Sequence, residues 1–160
     1  MPNAGDKVPS ITIKQATAEG PKDVDPAVLF AGKKVVMFSL PGAFTPTCSN
    51  QHLPGYVAKL DEIKARGVDM VACLSVNDAW VMKAWAEQHG ALGKIVMLAD
   101  GNAAFSKALG IDVDLSGPNM GIRCRRGLIT IEGGEIKTVA MEAPGKFEVS
   151  GADACMVSLG

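Results

Sequence analysis

No two cysteines of this chain are closely spaced. Cys48, Cys73, Cys124 and Cys155 form no CxxC pair, which leaves neither the signature of a zinc site nor that of a redox dithiol. A disulfide-stapled scaffold is excluded as well, because 160 residues can stand on their own core. The cysteines therefore read as chemical or simply buried. Net charge is also lacking: 16 basic against 17 acidic residues give −1, so no nucleic-acid surface is expected, and the one basic cluster is Arg123, Arg125 and Arg126. No apolar run is long enough to cross a membrane, while 48% hydrophobic residues argue against disorder. Residues 1–6 lack the charged-then-apolar pattern of a signal peptide, so a cytoplasmic location is expected. There is no internal repeat, low-complexity run or linker, and residues 1–160 are expected to form one domain. No metal-ligand set or cofactor motif is evident.

What the sequence does contain is a stretch around which the rest is organised: Pro41-Gly-Ala-Phe-Thr-Pro-Thr-Cys48-Ser49. It follows the apolar run 35–40, which reads as a buried strand. The Pro-Gly break forces a turn, and Pro46 suits the first turn of a helix, where its missing N–H costs nothing. Cys48 is then expected in that first turn, where unpaired N–H groups and the helix dipole favour negative charge on sulfur. The stretch reads as an activated sulfur nucleophile. Beyond it, Leu53, Tyr56, Val57, Leu60 and Ile63 recur at helical steps as far as Gly67, with Pro54 predicting a kink soon after Cys48.

Elsewhere a short strand is expected at 11–13, a polar turn at 20–25 and a short apolar piece at 27–30. Strands follow at 68–76 and 95–98. Asn77 or Asp78 can cap a helix that ends near Gly90, and 102–109 reads as a short helix closed by Gly110. Residues 112–121 read as loop. The runs 128–131 and 136–140 flank Glu-Gly-Gly-Glu and read as a hairpin. Ser150 can cap a last helix around 152–159. Strands alternating with helices imply an α/β fold with a central mixed sheet, and place the Cys48 turn at the carboxyl end of a strand, where such sheets bind ligands.

In these segments the chain resembles the peroxiredoxins, on a thioredoxin-like fold, and among them the peroxiredoxin-five subfamily with its plant type II enzymes. The resemblance is carried by 41–49, His52-Leu-Pro-Gly55, Cys73-Leu-Ser-Val-Asn-Asp78, Val81-Met-Lys-Ala-Trp85, Leu98-Ala-Asp-Gly101 and Arg123-Cys-Arg-Arg126. Thr-x-x-Cys alone is a weak signal; the whole set in one order is specific. The resemblance implies that Cys48 is the peroxidatic cysteine, Thr45 its hydroxyl partner and Arg126 the site arginine. Pro41 and Thr47 would contribute to peroxide binding. It implies a thiol peroxidase acting on hydrogen peroxide and small alkyl hydroperoxides, reset by glutaredoxin and glutathione or by thioredoxin, and working as a homodimer. The chemistry agrees: thiolate attack on an O–O bond needs a thiolate, a donor that holds the peroxide in line, and positive charge over the departing oxygen, which Cys48, Thr45 with the first-turn amides, and Arg126 could supply. Where the family usually has an aromatic residue after the arginine, this chain has Gly127. Arg123 is the alternative arginine if the strand register differs.

His52 lies four residues after Cys48 on the same helix face and reads as a polar neighbour of the site. A Cys–His protease would need this pair plus an orienting Asn or Asp. Trp80, Trp85 and the methionines read as core or interface packing. Cys73 matches the second cysteine of plant type II relatives but sits mid-strand, where a disulfide with Cys48 requires the helix start to unwind. Cys155 has no family match, and Cys124 reads as structural. Cys73 and Cys155 remain the candidate resolving residues, against the simpler expectation of an external thiol. The competing functions are a redox-sensing or chaperone-like thiol protein, and a disulfide reductase, which the missing CxxC disfavours.

Overall fold

The computed structural model describes residues 1–160. Its centre is a seven-stranded sheet built from β1 (Ile13–Thr17), β2 (Gly20–Val24), β3 (Lys34–Ser39), β4 (Met70–Ser75), β5 (Val96–Ala99), β8 (Gly127–Glu132) and β9 (Glu135–Met141). The order across the sheet is β2-β1-β5-β4-β3-β8-β9. The three central strands β3, β4 and β5 run parallel, and the flanking pairs are antiparallel. This is the mixed sheet of a thioredoxin-like fold.

Side-chain alternation along β3 sets the layers. Val36 and Phe38 face one core; Val35 and Met37 face the other. The first core is covered by α2 (Leu53–Ala65), α3 (Ala79–Gln88) and α5 (Ala152–Leu159), which supply Tyr56, Ile63, Met82, Trp85 and Cys155. The second is covered by α1 (Pro26–Leu29), α4 (Ala104–Leu109) and a two-stranded ribbon, β6 (Asp112–Leu115) with β7 (Gly121–Cys124). Phe30, Phe105, Ile111 and Cys124 fill that side. With both faces covered, β3 and β4 are almost wholly buried. That explains why they read as continuous apolar runs.

Four expectations are corrected. The first strand lies at 13–17 rather than 11–13, and 20–25 is not a turn but mostly the edge strand β2, whose polar Gly-Pro-Lys-Asp-Val is tolerated because an edge faces water. Residues 112–121 are not all loop; their ends pair in the β6–β7 ribbon. The start of α5 is Gly151, with no side-chain cap, because the Ser150 hydroxyl is committed to Glu142. The capping of α3 by Asp78, which accepts from the Val81 N–H, and the turn at Gly133-Gly134, both at positive φ, are as read.

Candidate active site

β3 delivers the chain to the site. Its last residues are held on both sides: Leu40 N–H donates to the Leu74 carbonyl, and the Ser39 hydroxyl to the Arg125 carbonyl at 2.7 Å. The loop that follows is braced rather than free. Ala43 N–H donates to Asn77 Oδ1 at 2.9 Å, and Arg123 donates from Nη1 to the Pro41 carbonyl and from Nε to the Met120 carbonyl. Gly42 leaves room for this brace, since a Cβ would come within 2.9 Å of Arg123 Nη1 and displace the guanidinium. Phe44 is held at φ 67, an uncommon conformation for an aromatic residue and one that points to constraint.

The helix starts at Pro46, but Cys48–His52 form a single π turn before α2, with the Leu53 N–H reaching back five residues to the Cys48 carbonyl. This is the kink that Pro54 predicts. Its ring and missing N–H bar an ordinary turn over Asn50, and the wider turn absorbs the conflict. The π turn places Cys48 and His52 together, both fully buried, beside Arg126 at the start of β8.

Arg126 joins them. Its Nη2 lies 3.0 Å from Cys48 Sγ and its Nη1 is 2.9 Å from His52 Nδ1. The other ring nitrogen, Nε2, is 3.0 Å from the Ser150 carbonyl. A carbonyl only accepts and a guanidinium only donates, so His52 must carry its proton on Nε2 and accept at Nδ1. The imidazole is therefore neutral, in keeping with a pKa lowered to about 3 by burial and then by the Arg126 charge. The Ser150 carbonyl also accepts from Tyr56 at 2.7 Å, and the Tyr56 ring stacks on Phe38, which meets His52 at a tilt of 43°. Phe147 closes the remaining side of the imidazole.

Ser150 is itself fixed by Glu142. That carboxylate accepts the N–H groups of Glu148, Val149 and Ser150 and the Ser150 hydroxyl. Burial pushes its pKa up, but the Ser150 hydroxyl and the three N–H groups outweigh this and leave it below the ordinary value. The Glu142 N–H donates to the Arg126 carbonyl, so the network closes on the arginine. Glu142 and Ser150 had no signal in the sequence as site residues. Their role depends on a loop about a hundred residues from Cys48.

The remaining candidates separate cleanly. Thr45 Oγ1 donates to the Gly42 carbonyl at 2.7 Å rather than contacting Cys48. With its proton committed there, the hydroxyl presents lone pairs, so it offers a peroxide an acceptor and not the donor that the in-line chemistry suggested. Pro41 and Thr47 line the cavity that opens beside Arg126. Arg126, not Arg123, reaches the sulfur; Arg123 is a loop brace. At Gly127, the residue after Arg126, the Met141 side chain opposite in the β8–β9 ladder fills the space that a Cβ would take. Met141 thus supplies the packing that an aromatic residue at 127 would give. Cys73 and Cys155 are fully buried and unpaired, and burial raises both thiols, Cys155 to about 11.

Comparison with known proteins fits this arrangement. The Redoxin family pattern matches residues 3–156. Peroxiredoxin-2E-2, chloroplastic, of Oryza sativa is 45% identical over 97% of this chain and 71% of its own length. The chain belongs to the peroxiredoxins. Peroxiredoxin-2F, mitochondrial, of Arabidopsis thaliana is 46% identical over 78% of this chain and 63% of its own. The crystal structure of reduced Prx3 in complex with H2O2 from Vibrio vulnificus superposes with a TM-score of 0.95, at 49% identity and full coverage of both chains. As a peroxiredoxin of this type the protein is a thiol peroxidase, and the buried cysteine–arginine pair lies where the fold presents its loops. No helix is long and apolar enough to cross a membrane.

Proposed function

We propose that this enzyme reduces hydrogen peroxide and small alkyl hydroperoxides through Cys48, and that Arg126 is its principal electrostatic aid. The observation that carries the assignment is the 3.0 Å approach of Arg126 Nη2 to Cys48 Sγ, with the same guanidinium clamped by His52. The arginine stabilises the negative charge that develops on oxygen during reaction. Sulfur attacks the terminal peroxide oxygen, an S–O bond forms, and the O–O bond breaks. The leaving hydroxide or alkoxide takes a proton to become water or alcohol. Thr45 accepts from the peroxide O–H and holds the O–O axis in line, while Pro41 and Thr47 wall the approach.

The resulting sulfenic acid is reset by an external thiol in two steps, first a mixed disulfide with loss of water and then exchange with a second thiol. Glutathione with glutaredoxin, or thioredoxin, is the reductant class. The burial and raised pKa of Cys73 and Cys155 support this over an internal disulfide. A homodimer is supported by Phe44, 50% exposed on the loop before Cys48, and Trp80, 70% exposed in the first turn of α3, two segments tied by the Ala43–Asn77 bond. Residues 1–160 act as one domain. The cytoplasmic expectation rests on the chain's own features alone, since the two plant relatives above are named for organelles.

Rapid mixing with hydrogen peroxide, followed by steady-state turnover with glutathione and glutaredoxin, tests the reading. Catalytic consumption of peroxide, absent in Cys48→Ser, is expected. Oxidation that halts after one equivalent despite reductant would favour a redox sensor.

A further inference from the structure

Beside Arg126 opens a cavity of about 240 Å³, and beyond Pro41, Thr47 and Arg126 its walls play no part in the peroxide chemistry. Pro41, Val113, Leu115 and Pro144 give it an apolar lining, while Arg125, Arg126 and Lys146 bring three cations to it. None of the three has a carboxylate partner; the molecule's four ion pairs all lie elsewhere. Arg125 spends its one side-chain hydrogen bond on Met1 Sδ. One carboxylate, Glu142, also lines the cavity, but its oxygens are occupied by the N–H groups and hydroxyl of residues 148–150. Set Arg126 against the Cys48 sulfur and Glu142 against one cation, and positive charge is still left over at the rim.

An apolar cavity of about 150 Å³ holds a benzene-sized molecule. This one therefore has room for an organic tail of roughly ten heavy atoms, far more than hydrogen peroxide needs. Apolar walls with a few convergent charged groups are the usual make-up of a small-molecule site, and guanidinium pairs well with carboxylate.

Building on the peroxidase reading above, we propose that this cavity binds the tail of organic hydroperoxides bearing a carboxylate, with the carboxylate held by Arg125 and Lys146 and the O–O group turned towards Cys48. The reacting species is R–O–O–H with the acid group on R. Cys48 sulfur takes the terminal OH oxygen and is oxidised by two electrons. The O–O bond breaks, and the alkoxide leaves with that electron pair and takes a proton from water, giving the hydroxy acid. The cavity exists in the folded site, where Cys48 is fully buried. That suits it to the oxidative step rather than to a bulky reductant.

The test measures the second-order rate of Cys48 oxidation by rapid mixing, using 5-hydroperoxyhexanoate, its methyl ester and hydrogen peroxide. Tryptophan fluorescence can report it, since Trp85 donates to Ser49 next to Cys48. The acid is expected to outrun the ester by about tenfold, the factor that one modest ionic contact supplies, and to lose that lead at high salt. In Arg125→Gln/Lys146→Gln the two rates converge, while hydrogen peroxide, with no tail to reach either residue, reacts as before; Arg125→Lys keeps most of the preference. Equal acid and ester rates in the unaltered protein overturn the proposal, as does a preference that survives the double substitution. A double variant slowed equally towards hydrogen peroxide also overturns it, because the cations would then act on the site as a whole. If that variant slows only the glutathione reaction with oxidised Cys48, the cations serve the reductant and the proposal fails. Inertness of Cys48 to all three peroxides would instead bring down the peroxidase reading itself.

Discussion

Cys48 and Cys124 are equally buried, both with no exposed surface, yet the molecule treats them in opposite ways. Cys124 lies in the second core, at the end of the β6–β7 ribbon, where its thiol donates to the Leu40 carbonyl at 3.1 Å and burial pushes it up to about 12. Cys48 lies in the first core, at the π turn, with a guanidinium 3.0 Å away. One sulfur keeps its proton and ties down the strand end that leads to the other. Burial is common to both; what separates them is the neighbour, a backbone carbonyl at Cys124 and a guanidinium at Cys48.

This contrast can be broken first at the sulfurs themselves. Cys48→Ser is expected to abolish peroxide reduction with the fold intact, whereas Cys124→Ser leaves the rate constant for peroxide within about twofold, because a hydroxyl can make the same donation. Circular dichroism beside rapid-mixing kinetics checks both. Next is the cation: Arg126→Lys keeps charge but cannot hold Cys48 and His52 together. A loss of about a hundredfold is expected, against a smaller one for Arg123→Lys, which touches only loop carbonyls. Thr45→Val should cost about ten- to a thousandfold, as for one lost transition-state contact, with little change in stability.

A smaller effect on rate than at Arg126 is expected at His52, a positioning residue. Its folded pKa of about 3 lies below the ordinary 6.5. Between these values the unfolded chain binds a proton that the folded protein does not, so stability is full above about pH 6.5 and is lost as pH falls towards 3. The slope approaches about 1.4 kcal/mol per pH unit. Glu142, whose pKa is also lowered, adds loss in the same direction below its ordinary 4.5. His52→Gln keeps an acceptor for Arg126 and should flatten this acid slope in denaturant titrations while retaining most activity. His52→Phe flattens the slope too but leaves Arg126 unclamped, and should lose about tenfold in rate.

Much of this site was legible in the sequence, and the residues show why. Strand β3, the helix start at Pro46 and the kink at Pro54 follow from local chain chemistry, which a sequence displays directly. Arg126 is 78 residues from Cys48, and no periodicity connects them; only the resemblance did. The direction of the Thr45 hydroxyl was not legible, because its proton goes to a backbone carbonyl three residues away, and a turn residue's side chain can either donate to the site or close the turn. Glu142 was invisible because its work is done on the N–H groups of a later loop. Strand β2 was missed because an edge strand needs no apolar pattern, and the β6–β7 ribbon because Gly117 and Pro118 mask two short strands on either side.

The central claim is that one sulfur of four is oxidised and that none of the others resolves it. Peptide mass analysis of the protein after one equivalent of hydrogen peroxide, with thiols blocked and sulfenic acid trapped by a dimedone-type reagent, measures this directly. The account predicts trapped sulfenic acid on Cys48 alone, with Cys73, Cys124 and Cys155 recovered as blocked thiols. A disulfide joining Cys48 to Cys73 or Cys155, or oxidation first at any cysteine but Cys48, would contradict it.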